Sequence, residues 1–378
     1  MVFPHLFVAA RFCSSTETVE YHPSALESQW LKGAAGSICK LAVSQREASQ
    51  QWLQFAKRAA STTSGQAPRW SAAGIANRSE LTFHTLLPVE PTASERPLLS
   101  RFIRHGSSSR QSPKNHRSAE FIEPLTGIGR HPLTKLCEYN PHHSIGRGNL
   151  YDADFLFDIS YLVLDNHCGA DGRRDPRARC SAWSRNLFYD LGCSVFDDGE
   201  PLHLASGSGS GPSLPIFTRL YERRCIDFDA IYAWEAKAVD GPSWWKNAPL
   251  KMRAKLHFIN APIEELPSTQ APQWSGHRAS FLALLNETAS PDDFVAIKVD
   301  IEGQAGGPEL PIVRAIAEQP ELTRLVDEIF FEYHYYFDGI DFGWGPNIKA
   351  LKEHQNVDAA LQLMHQLRHA GVRSHFWI

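Results

Sequence analysis

A chain of 378 residues, 43% hydrophobic and 21% charged, is long enough for one large domain with extensions, or for two. That composition excludes a wholly disordered or fibrous protein. A net charge of −4 gives no global reason to expect nucleic acid as a partner. No apolar run reaches the roughly 18 residues of a membrane-spanning helix.

The charge is uneven along the chain. Residues 1–118 hold 14 Lys+Arg against 7 Asp+Glu, and the remainder holds 24 against 35, which reads as a basic leader before an acidic globular body. Pro4 and His5 interrupt the apolar Val2, Phe3, Leu6, Phe7 and Val8, so a secretory signal is a poor reading. Rich in Arg, Ser and Ala, the leader fits a transit peptide and a disordered extension equally well. The expected compartment is cytoplasmic, or organellar if it is a transit peptide. Within it, Trp30, Leu41, Trp52, Leu53 and Phe55 form an interrupted apolar stripe that predicts helix somewhere in 29–60. Residues 105–118 read as a solvated linker. The seven cysteines form no CxxC pair, which argues against a disulfide framework or structural zinc. Cys168 and Cys180 are able to pair across an Arg-rich loop, but separate thiols are the simpler expectation.

From residue 119 the pattern alternates between strand-like and helix-like segments. Strands are predicted at 186–191, 228–234, 255–259, 294–299, 328–333 and 372–377. Helices are predicted at 213–224, 277–287, 309–317 and 357–369. Ser213 is placed to cap the first helix, and Phe217 and Tyr221 pair at i,i+4. Strands apolar on both faces, alternating with helices, mean an α/β protein: a doubly wound, mostly parallel sheet with helices on both faces. Ligands of such sheets sit beyond the carboxyl ends of the strands, where the strand order reverses. Four successive predicted strands finish on polar residues: Asp190, Glu235, Asn260 and Asp300. A carboxylate such as Glu235 suits ribose hydroxyls, an amide such as Asn260 suits an adenine edge, and Gly192 permits close backbone approach after the first strand.

These segments resemble the FkbM-like methyltransferases, a class I S-adenosylmethionine-dependent family. The resemblance spans residues 119–378. It rests on NLFYDLGCSVFDDG, FDAIYAWEA, DDFVAIKVDIEG followed by Glu309, LVDEIFFEYH and the closing LRHAGVRSHFWI, with FIEPLTGIGRHPLTKLC upstream. It implies a Rossmann-like sheet with S-adenosylmethionine across its carboxyl edge. Asp190 and Gly192 would then lie near the donor's methionine part, Glu235 on its ribose, Asn260 near its adenine and Asp300 beside the reacting methyl. The implied reaction is methyl transfer to a hydroxyl or amine of a small molecule or glycan. Asp300 and His334 are the candidate bases, His334 slightly favoured because imidazole titrates nearest neutral pH. One departure stands out: Phe196 occupies the place of the family's second loop glycine.

Each candidate also has a structural reading. Asp190 would cap the following turn, Asp300 would hold the neighbourhood of Lys298 or cap a helix, Glu235 would pair with Lys237 or Arg224, Asn260 would be a turn residue, and His334 would pack among tyrosines. Asp300, Glu302, Glu332 and His334 also have the spacing of an oxygen-rich metal site, although no metal is expected. A non-catalytic interaction domain is the first alternative, supported by Phe196. A nicotinamide-dependent oxidoreductase is disfavoured by the absent three-glycine fingerprint.

Overall fold

The computed structural model describes residues 18–33, 92–105, 117–125, 185–194, 213–222, 225–246, 248–263, 280–301, 308–333 and 357–377, with a few isolated positions that include Phe196. His334, Glu302, Cys168, Cys180 and most of the 29–60 stripe lie outside the described residues.

Two sheets are present among them. The first is small and antiparallel, in the order β1 (Thr18–His22), β2 (Ser100–His105), β3 (Arg117–Ile122). Helix α1 (Ala25–Gly33) follows β1 and buries Leu26, Glu27 and Trp30. The expected division at 118/119 thus falls inside β3, and the expected linker begins and ends within paired strands. Parts of the expected leader are folded.

The second sheet has six strands: β4 (Asn186–Leu191), β5 (Ala230–Trp234), β6 (Leu256–Ile259), β7 (Phe294–Val299), β8 (Glu328–Phe331) and β9 (Arg373–Phe376). Their spatial order is β6-β5-β4-β7-β8-β9, and every neighbouring pair is parallel. Numbered among themselves, the strands run 3-2-1-4-5-6, the doubly wound order of the Rossmann fold. The order reverses between β4 and β7. All residues of β4, β7, β8 and β9 are buried, as a sheet covered on both sides requires.

Adjacent residues of β4 show the two covered faces. Phe188 packs against Phe217 of α2 (Ser213–Glu222), with ring centroids 5.1 Å apart. Tyr189 faces the other way, stacking on Tyr232 and meeting Phe281 of α5 (Phe281–Thr288) edge-on. The short helices α3 (Gly241–Lys246) and α4 (Leu250–Arg253) precede β6, and α6 (Glu309–Glu318), α7 (Pro320–Thr323) and α8 (Val357–His369) follow β7 and β8.

Side-chain caps explain where the elements end. Helix α5 starts later than its apolar period suggests because the Ser280 hydroxyl accepts from Ala283 N at 3.3 Å. Strand β5 starts late because Asp229 accepts from Asn186 N at 2.7 Å, tying the segment before β5 to the start of β4. The cysteine expectation fails at one position: Cys225 is disulfide-bonded, and its partner lies outside the described residues. Its own spacing to the other cysteines carries no signature of that pairing.

Candidate functional site at the carboxyl edge

The polar strand ends all finish parallel neighbours, so they share one edge of the sheet. The contacts sort them into two groups.

The first group surrounds Lys298. Asp190 on β4 and Lys298 on β7 are register partners. Asp300, two residues on, sits on the same side as Lys298. The Lys298 ammonium lies 2.9 Å from Asp300 Oδ2 and 3.4 Å from Asp190 Oδ1, and donates to the Gly192 carbonyl at 3.1 Å. Ser213, at the start of α2, donates to Asp190 Oδ2 at 2.5 Å. Trp377 Nε1 donates to Asp300 Oδ2 at 2.9 Å. Asp190, Lys298 and Asp300 are each at most 3% exposed, so the cluster is sealed. Burial pushes the Asp300 carboxyl up, but Lys298 together with hydrogen bonds from Glu332 and Trp377 outweighs it and holds the group below its usual range. For Lys298, burial works against the charged form and the Asp300 and Asp190 charges restore it, so its pKa is raised.

The second group surrounds the turn after β5. Asn260 donates to the carbonyls of Glu235 at 2.7 Å and Lys237 at 2.6 Å, and accepts from Val239 N at 3.2 Å. Both of its N–H bonds are therefore committed to holding residues 235–239. Glu235 turns one carboxylate oxygen onto Lys237 N at 2.7 Å.

Between the groups runs the loop after β4. Gly192 has φ +99°, a conformation that favours glycine. A Cβ there would overlap the Asp300 backbone carbonyl. Gly192 thus permits close approach of β4 and β7 at the order reversal. Gly192 N and Cys193 N both donate to Trp234 O, at 3.1 and 2.7 Å. Over this loop lie aromatic rings. Trp244 of α3 stacks on Phe258 at 3.9 Å between centroids, meets the buried Phe196 at 5.9 Å, and donates from Nε1 to Cys193 O at 3.3 Å.

The strand ends were legible in the sequence, as was a place for Asp300 beside Lys298; the partners of Asp190 were not. Lys298, Ser213 and Trp377 acquire roles only through strand register and the return of the C-terminal strand. Glu309 is another: its carboxylate accepts from Ile301 N at 2.7 Å and fixes the chain leaving β7. Its signal was an acid in a helix first turn. The possible metal set is represented here only by Asp300 and Glu332, and no group of three metal-type ligands occurs among the described residues. Among the same residues no helix is long and apolar enough to cross a membrane.

For S-adenosylmethionine the fit is divided. Glu235 follows the second strand of the edge, with one carboxylate oxygen on Lys237 N. Asp190 faces protein groups rather than a cleft, Asn260 is engaged by its own loop, and Phe196 with Trp244 covers the first loop. No family model, curated protein or solved structure matches the chain. The fold and edge define a parallel α/β protein with the strand order of nucleotide-binding folds.

Proposed function

We propose that this protein is an S-adenosylmethionine-dependent methyltransferase acting on a hydroxyl or amine of a small molecule or glycan. The observation that carries this reading is the edge itself. A glycine at positive φ marks the strand-order reversal, and the next strand, β5, ends on Glu235 beside a loop pinned by Asn260. The resemblance of these segments to FkbM-like methyltransferases supplies the choice of cofactor, because a strand order shared with dinucleotide folds does not discriminate.

When bound, the donor supplies a reactive sulfonium methyl. The chain's task is to hold adenosine and to align an acceptor. Glu235 would take the ribose hydroxyls. The 190–193 loop and the Asp300–Ile301 backbone would flank the methionine part, with Lys298 neutralising the two buried aspartates behind them. Asp300 is a poor general base, since its lowered pKa favours the carboxylate and Lys298 and Trp377 already occupy it. Its role in this reading is positional, which leaves His334 as the candidate base.

One observation favours a second reading, a non-catalytic interaction domain. Phe196 is 4% exposed and packed under Trp244 against the first loop. Calorimetric titration of the full chain with S-adenosylhomocysteine separates the two. The enzyme reading expects saturable 1:1 binding that Glu235→Ala weakens without lowering the melting temperature. Absence of binding at near-millimolar ligand, in protein shown to be folded, would remove it.

A further inference from the structure

Away from the sheet edge, helix α8 sets His365 and His369 one turn apart on the same face. Their Nε2 atoms lie 2.9 Å apart, with ring centroids at 4.3 Å and planes at 79°. His369 is exposed and the His365 side chain is 19% exposed, so the space beside the two nitrogens opens to solvent. Behind them, His365 Nδ1 meets the buried carboxylate of Glu27 at 3.2 Å. Tyr21 packs edge-on against both imidazoles, with centroids 5.7 and 5.3 Å away.

This arrangement fixes the tautomers. The Glu27 carboxylate accepts from Ser100 Oγ at 2.6 Å, Leu125 N at 2.9 Å and Arg368 at 3.3 Å, so it faces His365 as an acceptor. His365 therefore donates from Nδ1, and its Nε2 lone pair points outward. The two Nε2 atoms share one proton, and a cation takes its place as that proton leaves to solvent.

We propose that His365 and His369 form a binding site for a divalent late transition-metal cation. Two nitrogens about 2.0–2.1 Å from a metal and at right angles to each other stand about 2.9 Å apart, whereas tetrahedral ligands stand about 3.3–3.4 Å apart. The observed spacing is close to the right-angle bite, so nickel(II) and copper(II) are the probes of choice. Glu27 supplies the carboxylate–histidine support that orients a metal-bound imidazole. No third His, Cys, Asp or Glu completes the set among the described residues, and two imidazoles alone give modest affinity. Because Glu27 belongs to α1, a bound cation also braces α1 against α8.

Nickel(II) titrated into the full chain tests this. The expected result is a site that His369→Ala weakens about tenfold or more, with the metal-free melting temperature unchanged because His369 is exposed. Copper(II) electron paramagnetic resonance should show coupling to two imidazole nitrogens in the wild type and to one fewer in the variant. If His369→Ala loses the fold, His369→Gln carries the same comparison. Equal nickel affinity and unchanged copper spectra in the variant would place the ions on other histidines and overturn the proposal. So would absence of binding by the wild type at about 1 mM nickel.

Discussion

Gly192 and Lys298 are the residues on which the carboxyl edge depends. Gly192→Ala forces a Cβ into the Asp300 carbonyl and a side chain into positive φ. It should destabilise the protein by about 2 kcal/mol or more, read from urea unfolding. A change under about 0.5 kcal/mol would mean the two strands separate more easily than the contact implies. Lys298→Met leaves Asp190 and Asp300 buried without their shared cation, at a cost of about 3–5 kcal/mol near neutral pH. The sign of its pH dependence follows from Asp300. Its pKa is lowered in the fold, so its contribution is present above the unfolded carboxyl value and fades as pH falls through the folded one. The gap between wild type and Lys298→Met should therefore narrow in acid; a gap that widens would show that the ion pairs are not its source. At this scale the sequence was half legible. An acid at a strand end is visible in one line of text, but a lysine inside an apolar strand reads as an anomaly until register sets it opposite Asp190.

The elements joined by buried charge are α1, β8, α8 and β9, with the chain just after β3. Arg368 donates to Glu123 through its side chain at 2.9 Å and its carbonyl at 2.6 Å, and approaches Glu27 at 3.3 Å. His375 bridges Glu123 at 2.7 Å and Glu328 at 2.9 Å, and Tyr221 of α2 donates to Glu328 at 2.6 Å. Burial pushes the His375 imidazole down, but Glu123 and Glu328 on its two nitrogens raise it overall. A raised folded pKa means the stabilisation is complete below the unfolded histidine value and lost as pH rises through the folded one. Glu328 behaves oppositely: its pKa is lowered, so its contribution fades as pH falls through the folded value. His375→Gln should thus cost most stability at about pH 5–6 and least at about pH 9, measured by melting temperature. A pH-independent cost would mean the ring acts by packing on Phe330 alone. The sequence period located α8 and β9, since Leu361, Met364 and Leu367 lie on its buried side. It missed β1, β2 and β3, whose short mixed segments alternate weakly and whose tie to α8 runs from Arg368 to Tyr21 and Glu123, hundreds of residues away.

Over the whole molecule, these buried pairs tie the N-terminal sheet to the separately hydrogen-bonded six-stranded sheet through α1, α8 and β9. Arg368→Met should strand Glu27 and Glu123 and cost about 3–5 kcal/mol. Hydrogen exchange in the variant should show β1–β3 losing protection well beyond β4 and β7. Uniform loss across both sheets would contradict that division. The alternation of strands and helices made the architecture legible because a two-sided parallel sheet imposes continuous apolar runs. The strands within 1–118 were not legible because the average composition there is polar, whereas the folded parts bury a few large groups such as Tyr21 and Trp30. Hydrogen exchange with and without saturating S-adenosylhomocysteine addresses the central claim most directly. The account predicts added protection at residues 191–196, 234–239 and 258–261, the carboxyl ends of β4, β5 and β6. Protection confined elsewhere, or none at saturating ligand, would contradict it.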